Sequence, residues 1–162
     1  MEGTAEDDKL FGTASDDFLL GNEGWDVIIG DAGNDLLFGG AGSDVLNGYG
    51  ASFVSGEVDV LIGEDGVDIF VLGDPYRSYY NDQNSSTSGT GDYALIADFN
   101  FNQDFMVLKG KFSDYIFRPN ENSTGLSIFL DNDGVVGYSF NDELIAKMDG
   151  VTSISPVDIM FV

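Results

Sequence analysis

Glycine recurs at positions 3, 12, 21, 30, 39 and 48, a spacing of nine residues held five times in succession. Two further columns keep the same period. Aspartate stands five residues after each of the first five glycines, at Asp8, Asp17, Asp26, Asp35 and Asp44. A large apolar residue follows two later, at Leu10, Leu19, Ile28, Leu37 and Leu46. The sixth unit opens at Gly48 but reaches its acid and its apolar residue only at Asp59 and Leu61, which marks an insertion of six residues near 49–56. The frame resumes at Gly63, Asp68 and Phe70. Each unit is six small or polar residues followed by three apolar ones. That is too short and too rich in glycine for a helix, and it suits a tight turn followed by a three-residue strand. Side chains alternate faces along a strand, so the middle apolar residue of each triplet points inward and its neighbours outward.

Two such units complete one coil, with strands on two opposed sheets, so units 18 residues apart become neighbours. Stacked strands lie about 4.8 Å apart. The pairs expected to meet are Asp8 with Asp26, Asp17 with Asp35, Asp26 with Asp44, Asp35 with Asp59 and Asp44 with Asp68. Two carboxylates at about 5 Å repel by about 3 kcal/mol at an effective dielectric of 20, so the column needs a cation. Composition narrows which one. The 162 residues contain no histidine and no cysteine, which excludes Ser-His-Asp and Cys-His catalysis, soft metal sites and disulfides. Hard cations take oxygen ligands at about 2.3–2.6 Å, so calcium fits between stacked turns. Gly24, Gly33, Gly42 and Gly66 stand two residues before the acid, where a left-handed or close backbone lets carbonyls converge on the ion. The formal charge of −23 argues against nucleic acid and anionic membranes as partners, and about five calcium ions would bring it to about −13.

The units Gly21-Asn22-Glu23-Gly24-Trp25-Asp26-Val27-Ile28-Ile29, 30–38 and Gly39-Gly40-Ala41-Gly42-Ser43-Asp44-Val45-Leu46-Asn47 resemble the G-G-x-G-x-D-x-U-x nonapeptide of the repeats-in-toxin (RTX, hemolysin-type) calcium-binding family. The resemblance covers residues 3–74. It departs from the pattern at Glu6 and Ser15, which stand where glycine is usual, and at the interrupted sixth unit. What it implies is an all-β chain built on a parallel β-roll with calcium between the turns.

Beyond the repeat the chain divides further. Residues 75–91 read as a polar surface loop whose Tyr76, Tyr79 and Tyr80 either pack on one another or stack on a sugar. Residues 92–162 read as a β-rich C-terminal capping region, with strands expected at 93–99, 105–108, 115–117, 126–130, 135–140, 144–148 and 157–162 and a hairpin turn at Asp133-Gly134. Asp131-Asn132-Asp133-Gly134 lacks the sixth-position glycine and the flanking helices of an EF-hand, so it is read as a hairpin tip. Asp98 and Asp104 are placed as caps on the last calcium, because 97–104 resembles the segment that closes such rolls. The outward positions of the even units, Phe18, Leu20, Leu36, Phe38, Val60 and Ile62, are all apolar, and the second half of the chain is expected to cover them.

No stretch of 18 apolar residues occurs, so no membrane span is expected, and residues 1–10 lack the profile of a cleaved signal peptide. The final Asp158-Ile159-Met160-Phe161-Val162 is similar to the uncleaved signal read by type I exporters. Together these point to a secreted or cell-surface calcium-binding module that folds on meeting calcium and accompanies type I secretion. The absence of a capping element before the first unit suggests a parent catalytic or adhesive domain on the N-terminal side. The alternative is a calcium-dependent glycan- or surface-binding module. An enzyme is not expected, since the repeated acids are committed to metal.

Overall fold

The computed structural model describes residues 1–50, 56–81, 91–120, 124–132, 134 and 142–162. The strands are β1 (Lys9–Phe11), β2 (Phe18–Gly24), β3 (Val27–Asp31), β4 (Leu36–Gly42), β5 (Val45–Tyr49), β6 (Val58–Gly66), β7 (Ile69–Val71), β8 (Tyr93–Ile96), β9 (Phe105–Leu108), β10 (Tyr115–Pro119), β11 (Gly125–Leu130), β12 (Glu143–Asp149) and β13 (Ile159–Phe161). They form two sheets. One runs β1-β3-β5-β7-β9-β13 and is parallel throughout. The other is parallel through β2-β4-β6-β8-β12 and ends in the antiparallel pairs β12-β11 and β11-β10. This is the all-β parallel roll that the period of nine requires.

The middle residue of each apolar triplet points into the space between the sheets. Register stacks Leu10, Ile28, Leu46, Phe70, Met106 and Ile159 in one column. Leu19, Leu37, Leu61, Ile96 and Met148 form the other. All of them are buried. Six residues are added between β4 and β6, yet Leu37 still faces Leu61, so the insertion leaves the core register intact. Strands β2, β4 and β6 run well past their triplets, because the turns themselves stack in parallel register, as in Asn22↔Gly40 and Gly40↔Glu64.

Among the described residues the second half does not lie over the even sheet, as its outward apolar residues led us to expect. Both sheets instead continue past residue 74, with β8 added to β6 and β9 to β7. Phe18 is left 52% exposed, while Leu20, Leu36, Phe38, Val60 and Ile62 are half-buried. The physical reason is the edge of the roll. Strands β6 and β7 would end it with a row of unpaired N–H and C=O groups, and a further parallel coil satisfies them where a lid over the face would not.

Strands β8 to β13 fall within or close to the expected segments. Residues 158–162 supply β13, which pairs with β9 after a short 3-10 turn at Pro156–Asp158. The expected strand at 135–140 and Asp133 lie outside the described residues, as do parts of the insertion and of the 75–91 loop.

Candidate metal centre

The repeated acids stand at the two turn edges of the roll, where they form ladders. On one edge the backbone N–H of Asp8 donates to Asp26 Oδ1 at 2.8 Å, Asp26 N–H to Asp44 Oδ1 at 2.8 Å and Asp44 N–H to Asp68 Oδ1 at 3.0 Å. Asp68 N–H donates to Asp104 Oδ1 at 3.0 Å, so Asp104, placed in the sequence as a cap, is the next rung. On the other edge Asp17 N–H donates to Asp35 Oδ1 at 2.8 Å and Asp35 N–H to Asp59 Oδ1 at 2.9 Å. Each pair expected from the spacing meets, but through a different contact. One oxygen of each carboxylate is engaged by the N–H of the preceding coil, a donor that the turn would otherwise leave unpaired. Asp98 uses both oxygens on the N–H groups of Gly63 and Glu64, at 3.0 and 2.8 Å.

The second oxygen, Oδ2, turns back into its own turn. In the first coil it has a partner, since the backbone N–H and the hydroxyl of Thr4 both donate to Asp8 Oδ2, and Thr13 does the same for Asp17. Those bonds hold the Asp8 and Asp17 carboxyls below the usual carboxylate range. In the next coils Oδ2 of Asp26, Asp35 and Asp44 is buried with no hydrogen-bond partner. A Cβ placed on Gly21 would stand 2.3 Å from Asp26 Oδ2, which is why the turn opens with glycine. The unpartnered oxygens therefore sit in a cradle that only a residue without a side chain leaves open. A buried carboxylate oxygen with no donor costs free energy unless a cation or a proton joins it, and hard divalent cations suit an all-oxygen donor set.

Desolvation is the largest influence on these groups. It raises Asp26 and Asp104, lifts Asp35 and Asp44 to about 6, and lifts Asp59 and Asp68 to about 7. Arg77 pairs with Asp74 and Lys111 with Asp114, away from the ladders. In the metal-free protein these shifts set the sign of the pH dependence. A buried carboxyl with a raised pKa holds a proton that the unfolded chain has released, so its stabilisation is full below 3.8 and is lost as the pH rises through about 6 to 7. Metal-stripped protein is expected to gain β ellipticity, or a higher urea midpoint, on acidification from pH 8 to pH 5. An equal or lower midpoint at pH 5 would contradict it.

Two features of the site were missed in the sequence. Glu57 is buried, accepts from Gly33 N–H through Oε1 at 2.9 Å, and leaves Oε2 without a partner. Its ligand atom lies within 4.8 Å of one on Asp35 and one on Asp59. The signal was present, since Glu57 stands two residues before Asp59, in the slot that Gly24, Gly33, Gly42 and Gly66 fill elsewhere, but the insertion obscured the frame. Tyr80 is the second. Its fully buried hydroxyl donates to Asp59 Oδ2 at 2.6 Å, giving that oxygen the partner its counterparts lack. Tyr80 packs edge-on against Tyr49, which stacks on Tyr79 at 5.1 Å, so two of the three loop tyrosines serve the interior and Tyr76 alone of the three is fully exposed.

A family model for the RTX calcium-binding nonapeptide repeat, in four copies, matches residues 2–37 and 20–51. Residues 2–51 thus carry the RTX calcium-binding nonapeptide repeat. Calcium is accordingly the cation of this roll. No curated protein matches the chain. Among solved structures it is similar to two subunits from the Azotobacter vinelandii mannuronan C5-epimerase. AlgE6R2 is 24% identical, with a TM-score of 0.42, and 99% of this chain and 91% of that one are covered. AlgE6R3 is 23% identical, with a TM-score of 0.37, and 98% and 80% are covered. Among the described residues no helix is long and apolar enough to cross a membrane.

Proposed function

We propose that this RTX module is extracellular, folds when calcium enters its turns, and supports type I secretion of itself or of a parent protein. The carboxylates of Asp8, Asp17, Asp26, Asp35, Asp44, Asp59, Asp68 and Asp104 supply the charge. Carbonyls of the turns around Gly24, Gly33, Gly42 and Gly66 complete the oxygen donor set. Asp98 joins at the last nonapeptide turn, where it holds the backbone of Gly63 and Glu64.

The observation that carries this reading is the set of buried, unpartnered Oδ2 atoms on Asp26, Asp35 and Asp44. They make the metal-free fold costly and the calcium-bound one favourable, so metal binding supplies folding free energy. A chain that stays open where calcium is scarce and closes where it is abundant suits export through a narrow channel. The acid and apolar residues at 158–162 support the same reading. They provide a recognition segment in the open chain and become β13 once the roll has closed. No catalytic role is assigned, since the buried acids of the repeat are engaged in the ladders.

Calcium titration of the chain, followed by heat and by far-ultraviolet circular dichroism in one series, tests the coupling. Heat and ellipticity are expected to saturate together at about five ions. Full ellipticity before any calcium is added would remove the folding role.

A further inference from the structure

The rung between Asp35 and Asp59 differs from every other rung of the ladders. The slot two residues before Asp26, Asp35, Asp44 and Asp68 is glycine, whereas before Asp59 it carries Glu57, and here three carboxylates gather within 4.8 Å of one another. An acidic cluster alone would say little, but two of the three are orphaned. Glu57 is 2% exposed and Asp35 1% exposed, and Glu57 Oε2 and Asp35 Oδ2 both lack partners. The third is held in place, since Asp59 receives Asp35 N–H on Oδ1 and the Tyr80 hydroxyl on Oδ2. Glu57 is likewise anchored, by Gly33 N–H on Oε1, which leaves Oε2 as its free ligand atom.

We infer that Asp35, Glu57 and Asp59 form the highest-affinity site of the roll for a hard oxygen-seeking cation, with Glu57 as a ligand that the repeat pattern does not provide. The inference rests on the calcium reading above and adds to it a rank order among the sites. Affinity of oxygen-donor sites rises with the number of charged ligands and with their rigidity, and this site has one more carboxylate than its neighbours and anchors on all three. Its position has a structural consequence. Glu57 is the first core-facing residue after the insertion, and Val58 and Asp59 follow it directly into β6. A cation held here ties the end of the insertion to β4 and sets the register in which the roll resumes.

Calcium calorimetry and terbium luminescence on the full chain test this, comparing wild type with Glu57→Gln. The exposed Asp149→Asn, on β12, is the control that removes the same charge. Wild type is expected to show one tight ion followed by a weaker class. Glu57→Gln should weaken the tight ion by about tenfold or more and leave the weaker class unchanged, and Asp149→Asn should leave both within about twofold. A Glu57→Gln protein with wild-type affinities, or a control that weakens the tight ion equally, overturns the inference. If Glu57→Gln does not fold in saturating calcium, Glu57→Asp decides, because it keeps the charge but shortens the reach. A weakened tight ion then supports the inference, and unchanged binding overturns it. A wild-type chain that binds no calcium at all would instead remove the calcium reading on which the inference rests.

Discussion

Removing calcium at neutral pH is expected to abolish most of the β-structure of this chain. The roll buries Asp26, Asp35, Asp44, Glu57, Asp59, Asp68 and Asp104 along its turns. Within 4.8 Å and at an effective dielectric of 20, each ionised pair in the Asp35–Glu57–Asp59 cluster repels by about 3 kcal/mol or more. Protons relieve part of this, as the raised pKa values of these groups record, but at pH 7.5 that relief is mostly gone for Asp35 and Asp44. Calcium acts in the opposite direction. One site at a hundred times its dissociation constant adds about 2.7 kcal/mol, so about five sites add roughly 13 kcal/mol, as much as the whole stability of an ordinary domain. Chemical denaturation at pH 7.5 should show a cooperative transition in millimolar calcium and none in excess chelator. Cooperative unfolding in chelator with a midpoint near that of the calcium form would show that the hydrophobic column alone holds the roll together.

Much of this was legible in the sequence because the period of nine is a geometric statement. It fixes which residues stack, and the inward columns from Leu10 to Phe70 and from Leu19 to Leu61 follow from it directly. The acids of the ladders follow as well. What the period could not give is the contact within each rung, because that depends on the backbone N–H of each aspartate, which has no sequence signature. The place of the described part of the second half was not legible for a related reason. An apolar outer face suggested a lid, whereas the stronger demand came from unpaired backbone at the end of the sheets.

The departures from the repeat proved as informative as the repeat. At the slot two residues before each aspartate, a Cβ would point at the preceding coil: from Gly24 toward Glu6, from Gly33 toward Ser15, from Gly42 toward Gly24 and from Gly66 toward Gly42. Glu6 and Ser15 are exposed, so side chains are accommodated there. Glu57 escapes by another route. The insertion precedes it, Gly56 takes the left-handed conformation with φ 91° in its place, and the glutamate side chain turns toward Gly33 N–H.

The same geometry makes Gly66→Ala and Gly42→Ala the most damaging glycine-to-alanine substitutions among the described residues. An added Cβ would lie 1.4 Å from the Gly42 carbonyl oxygen in the first case and 1.6 Å from the Gly24 carbonyl oxygen in the second. Both glycines also hold φ near +145°, at 143° and 145°, a region that residues with a Cβ avoid. The atoms struck are backbone, so no side chain can rotate away, and separating the turns would break the parallel register on both sides and open the cradle of Asp44 and Asp68. A loss of about 4 kcal/mol or more is expected for each in saturating calcium, the range reached when strain and lost pairing combine. Gly91→Ala is the matched control. A Cβ there meets nothing within 4 Å, and its stability should stay within about 0.5 kcal/mol of wild type. Denaturant titration of the three variants side by side measures the difference. Gly66→Ala within about 1 kcal/mol of Gly91→Ala would mean that the turns are not stacked as closely as 1.4 Å from Cβ to carbonyl requires.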